Sequence, residues 1–117
     1  MTAASDYQRE LLALNGGNWC DFEGLVRDIY VRLLEPGQVA LDVGVNRGDH
    51  FLQLVAHVGS QGLVIGVEAA PAMVALTNEF LTGSGLSTLE NSVLHHVAVS
   101  DREGVTTLNY VRDQPGL

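Results

Sequence analysis

Asp42, Gly44, Asn46 and Gly48 stand within one seven-residue run, Asp42-Val43-Gly44-Val45-Asn46-Arg47-Gly48, and an acid, Glu68, follows 20 residues after Gly48. Two glycines let a backbone turn sharply and approach a ligand closely, and a helix opening behind them directs unpaired N–H groups at whatever sits there. An acidic side chain at the end of the next strand is placed to accept hydrogen bonds from both hydroxyls of a ribose. Loop and acid together describe a site for a nucleotide-type cofactor.

What the loop lacks narrows the ligand. A dinucleotide fingerprint, G-x-G-x-x-G, needs glycine where Asn46 and Asp49 stand, so a pyrophosphate would meet side chains there. The phosphate-cradling alternative needs a lysine, and the chain contains none. Asp42 repels phosphate and suits a cationic or amine-bearing ligand. S-adenosylmethionine has both features: a ribose and adenine for Glu68, and a sulfonium and ammonium for an acidic pocket. A carboxylate between Leu41 and Val43 costs stability unless it is paired or bound to ligand. Asn46 has a second use, because asparagine tolerates a left-handed turn.

The elements that must position these residues follow from the spacing. Residues 5–14 carry Tyr7, Leu11, Leu12 and Leu14 at helical intervals and stop at Asn15-Gly16-Gly17. Asp21 then caps a second helix whose apolar face is Phe22, Leu25, Val26, Ile29 and Leu33, ended by Glu35-Pro36-Gly37. From Gln38 the period changes. Residues 39–43 predict a strand covered on both faces, residues 51–58 a helix ending at Gly59, and residues 63–67 a second buried strand closed by Glu68. Strand, glycine loop, helix, strand is a right-handed βαβ unit with a parallel sheet. Pro71 opens another helix through Leu81, Gly83-Ser84-Gly85 closes it, and residues 93–99 predict a third strand. Partial alternation over residues 105–111 predicts an added antiparallel strand. The organisation expected is N-terminal helices over residues 1–36 and a cofactor-binding region over residues 37–117.

Composition excludes several other readings. Six arginines against 14 acids give a net charge of −8, and Arg9, Arg27, Arg32, Arg47, Arg102 and Arg112 are scattered singly, unlike a nucleic-acid or anionic-membrane surface. At 46% apolar and 17% charged the chain suits one globular core rather than a disordered segment. Cys20 is alone, no secretory signal opens the chain, and the longest mostly apolar stretch, residues 63–70, is too short to cross a bilayer. A soluble cytoplasmic protein is expected. No metal is expected, since His50 and His57 lie about 10 Å apart along a helix and His95 and His96 point to opposite faces of a strand.

Leu34-Glu35-Pro36-Gly37, then Ala40-Leu41-Asp42-Val43-Gly44-Val45-Asn46-Arg47-Gly48-Asp49, then Val67-Glu68, then Ala98-Val99-Ser100-Asp101-Arg102-Glu103-Gly104 resemble the FkbM family of S-adenosylmethionine-dependent methyltransferases. The resemblance covers about residues 33–117. It implies a Rossmann-like class I methyltransferase fold, a seven-stranded sheet of order 3-2-1-4-5-7-6, and O-methylation of a small or sugar-bearing acceptor. It further implies that Asp42, Gly44, Asn46 and Gly48 line the methionine and ribose end, that Glu68 takes the ribose hydroxyls, and that Ala98 and Val99 lie near the adenine. The family commonly reads Pro-Asn-Pro after the ribose acid, where this chain reads Ala69-Ala70-Pro71. Three parallel strands are expected where the family has more, so the sequence reads as an N-terminal portion of such an enzyme, inactive by itself and without an assignable catalytic residue. An open sheet edge would then favour self-association. A nucleotide-linked oxidoreductase fragment and a non-catalytic truncated product are the alternatives; the failed glycine spacing weighs against the first.

Overall fold

A computed structural model describes residues 3–19, 21–111 and 113, with side chains from Asp6 onward except that of Tyr7. The lone thiol of Cys20, the side chain of Tyr7 and the stretch 114–117 lie outside what is described. The chain divides into two units, residues 1–32 and 33–117.

The first unit holds α1 (Ala3–Leu14) and most of α2 (Phe22–Leu33). Gly16 and Gly17 adopt φ of +63° and +81°, and the Gly17 N–H closes α1 by donating to Leu12 O at 2.7 Å. Asp21 caps α2 as the sequence predicts: its Oδ1 accepts the Gly24 N–H at 2.9 Å.

The second unit runs β1 (Val39–Val43), α3 (Asp49–Val58), β2 (Leu63–Glu68), α4 (Pro71–Gly83), a short 3-10 turn (Leu86–Leu89) and β3 (Ser92–His96). The sheet order is β1-β2-β3, with both pairs parallel and with Asp42 opposite Gly66 and Glu68 opposite His96. Both crossovers step the same way along the sheet, so right-handed connections place α3 and α4 on one face. Val45, Phe51, Leu54, Val55, Val58, Val64, Ala70 and Met73 form the core on that face. This is the α/β architecture expected, with a parallel sheet and flanking helices.

Three expectations are corrected. β1 is covered on one face rather than two: Val39, Leu41 and Val43 remain 64%, 64% and 56% exposed on the side away from α3 and α4. β3 stops at His96 instead of reaching residue 99, because its ladder partner β2 ends at Glu68. Residues 105–111 make no antiparallel strand; Val111 forms an isolated bridge, and Val105, Leu108 and Tyr110 stay exposed, so no alternating face is buried there. The 3-10 turn was not anticipated.

The end of α3 is closed by residues far along the chain. Asn91 Nδ2 donates to Val55 O at 3.0 Å and to Gly59 O at 2.7 Å, while the Gly37 N–H donates to Val58 O at 2.8 Å. Asn91 is itself buried, and its main-chain carbonyl accepts the Val64 N–H of β2 at 2.9 Å.

Candidate functional site

The glycine loop leaves β1 by a shared bond: the N–H groups of Gly44 and Val45 both donate to Val67 O, at 2.8 and 3.1 Å. That pairing ties the loop to the end of β2 and turns Val45 into the core. Gly66 makes the inward turn possible, because a β-carbon there would come 2.8 Å from Val45 Cγ2 and 2.5 Å from Phe51 Cε2.

Asn46 follows in the left-handed region, φ +55°, and its peptide groups are held from two sides. Its N–H donates to Glu68 Oε2 at 2.6 Å, and its carbonyl accepts the Thr77 hydroxyl at 3.1 Å. Glu68 Oε1 meanwhile accepts the Ala70 N–H at 2.9 Å. Glu68 is thus a latch between the loop and the β2–α4 turn, with lone pairs left on each oxygen for a ligand.

The two loop glycines serve different ends. A β-carbon on Gly44, at φ +82°, would meet nothing within 4 Å, so its backbone borders open space. Gly48, at φ +93°, is the N-cap of α3, with no side-chain cap on the helix N–H groups, and it packs directly on Thr77.

Asp42 sits at the root of the loop, and its Oδ2 is buried without a hydrogen-bond partner. Burial pushes its carboxyl above the ordinary range; His50 pulls it back and the Glu68 charge adds to the rise. A buried, partnerless carboxylate oxygen beside a second acid is an environment that a bound cation would stabilise.

Asp42, Gly44, Asn46, Gly48 and Glu68 therefore converge at the carboxyl ends of β1 and β2, where open α/β sheets place their ligands. Ala98 and Val99 lie beyond the end of β3. With Ala69, His96, Val97 and residues 100–108 they line an open depression of about 1360 Å³, to which the five converging residues do not contribute. His96 Nε2 donates to Ala69 O at 3.1 Å, joining that depression to the β2–α4 turn. Sequence reading missed Thr77 and weighed His50 only as a metal ligand, not as a neighbour of Asp42. The available signals were a hydroxyl four residues after the buried Met73 on α4, and a histidine one position into the helix behind the loop.

No protein-family model and no curated protein matches the chain. Among solved structures, the chain is similar to a candidate rRNA methylase from Clostridium thermocellum, at 21% identity over 69% of this chain and 42% of that one, with a TM-score of 0.63. It is also similar to an S-adenosylmethionine-dependent methyltransferase from Aquifex aeolicus, at 25% identity over 69% of this chain and 39% of that one, TM-score 0.50. The chain spans less than half the length of each of these two structures. Their likeness extends to the fold: a Rossmann-like methyltransferase sheet with its helices.

Proposed function

We propose that this chain forms the cofactor-binding portion of an S-adenosylmethionine-dependent methyltransferase of FkbM type, acting on an oxygen of a small or sugar-bearing acceptor in the cytoplasm. One observation carries the reading: the buried, partnerless Oδ2 of Asp42 stands with Glu68 at the foot of a glycine loop whose Gly44 borders open space. The residues present suit the cofactor. Asp42 would meet its positive end, the backbone at Gly44 would leave room for it, and the remaining lone pairs of Glu68 would take the ribose hydroxyls. The cofactor supplies an electrophilic methyl group. The chain's own part is to bind and orient it, with the loop already fixed by Val67, Glu68 and Thr77. Ala98 and Val99 are proposed for the adenine end.

The Aquifex aeolicus neighbour, described as dependent on S-adenosylmethionine, supports the choice of cofactor. The net charge of −8 with singly placed arginines supports a small acceptor over a nucleic acid. No group among these 117 residues is given the role of acceptor base, and the chain by itself is proposed to be inactive.

Calorimetric titration with S-adenosylmethionine, its demethylated product S-adenosylhomocysteine, and NAD tests the cofactor. Saturable binding of the first two is expected. Tight NAD binding with no response to either would overturn the assignment.

A further inference from the structure

We propose that Thr77 is a positioning residue for the cofactor loop, acting through its hydroxyl on the carbonyl of Asn46; the proposal rests on the reading of that loop as the cofactor site. Asn46 occupies φ +55°, a conformation that costs a non-glycine residue free energy and persists only where its surroundings hold it. The surroundings here are two side chains from different elements. Glu68, at the end of β2, accepts the N–H before the residue's α-carbon, and Thr77, two turns into α4, donates to the carbonyl after it. The peptide groups on both sides of the left-handed residue are therefore fixed, and with them the direction of the adjoining segments to Gly44 and Gly48.

Thr77 is fully buried, so its hydroxyl has no water to fall back on and the Asn46 carbonyl is its given acceptor. Burial alone would favour valine at this position, an isostere without the oxygen. The methyl group contributes separately, because Thr77 Cγ2 lies where a side chain at 48 would project. The hydroxyl sets the loop and the methyl fills the space against α3, and the two contributions are separable by substitution.

Thr77→Val keeps the shape and removes the donor; Thr77→Ser keeps the donor and removes the methyl. S-adenosylhomocysteine affinity of the full chain is measured by calorimetry, alongside hydrogen exchange at the Asn46 and Gly48 amides and the melting temperature. T77V is expected to weaken binding about three- to tenfold and to speed exchange at Asn46 and Gly48, with T77S within twofold of the parent on both. If T77V does not fold, Thr77→Ala compared with T77S isolates the same oxygen. Wild-type affinity and exchange in T77V, or losses larger in T77S than in T77V, would overturn the proposal and leave Thr77 a packing residue. Parent protein that binds neither S-adenosylmethionine nor S-adenosylhomocysteine would overturn the cofactor reading instead. The exchange rates of T77V and T77S would then still decide whether the hydroxyl holds the loop.

Discussion

Thr77 and Gly48 are fitted to each other: a β-carbon at position 48 would come 2.8 Å from Thr77 Cγ2 and 2.9 Å from its Oγ1. Gly48→Ala adds that overlap to a left-handed backbone, and the two costs together predict a loss of about 2–4 kcal/mol in stability. Gly44→Ala meets open space and carries the backbone cost alone, about 1–2 kcal/mol. Urea unfolding of both variants checks the order. Calorimetry should show the reverse emphasis, with G44A folded but at least tenfold weaker toward S-adenosylhomocysteine, because its new methyl enters the space given to the ligand.

Glu68→Gln is expected to be nearly as damaging as Glu68→Ala. Each carboxylate oxygen accepts a backbone N–H, from Asn46 or from Ala70, and an amide NH2 in either place would face a donor with a donor. Hydrogen bonds to a charged group contribute about 1.5–3 kcal/mol, so both variants should lose ten- to a hundredfold or more in cofactor affinity. Glutamine at wild-type affinity would show that the charge and both acceptors are dispensable.

Asp42→Asn is expected to stabilise the ligand-free protein at neutral pH. The native carboxyl titrates above its unfolded value, so the native state holds more protons in the window between the two, and stability falls as pH rises through it. The destabilisation is fully present above the raised native pKa and absent below the ordinary carboxylate value. The melting-temperature advantage of D42N should therefore be largest at neutral pH and shrink on acidification. Its affinity for S-adenosylmethionine should fall, since the acid that meets the cation is gone.

Self-association is expected of the 117-residue chain. Among the described residues β1 has a ladder partner on one side only, and Val39, Leu41 and Val43 are more than half exposed. Size-exclusion chromatography with light scattering should show species larger than one chain that dissociate on dilution. Charged substitutions such as Leu41→Lys should shift the population toward monomer; a monodisperse monomer at high concentration would contradict the expectation.

The parallel frame was legible because its punctuation is local. Gly37, Gly59 and Pro71 mark where elements start and stop, and the apolar runs between them fit only strands or only helices. The pairing of Glu68 with the glycine loop was legible as a spacing. Its actual bonds were not, since both partners are main-chain N–H groups that any residue would offer. Thr77 escaped notice for a related reason: its acceptor is a carbonyl 31 residues away, and a threonine on a helix carries no mark of that distance. The strand expected at residues 105–111 failed because alternation proposes a face, and only a neighbouring element can make that face worth burying.

The Asn91 amide has a consequence for the order of assembly. β1, α3 and β2 are consecutive and pair locally, which suggests a unit able to form early and alone. Yet the Asn91 amide, which reaches Val55 O near the end of α3 and joins the local Gly62 N–H on Gly59 O, belongs to a residue that arrives only after α4 has crossed back to start β3. Until then both carbonyls lack the Asn91 donor, whose bonds contribute about 0.5–1.5 kcal/mol each. One side chain thereby ties the end of the first crossover to the end of the second, so that the stability of each depends on the other.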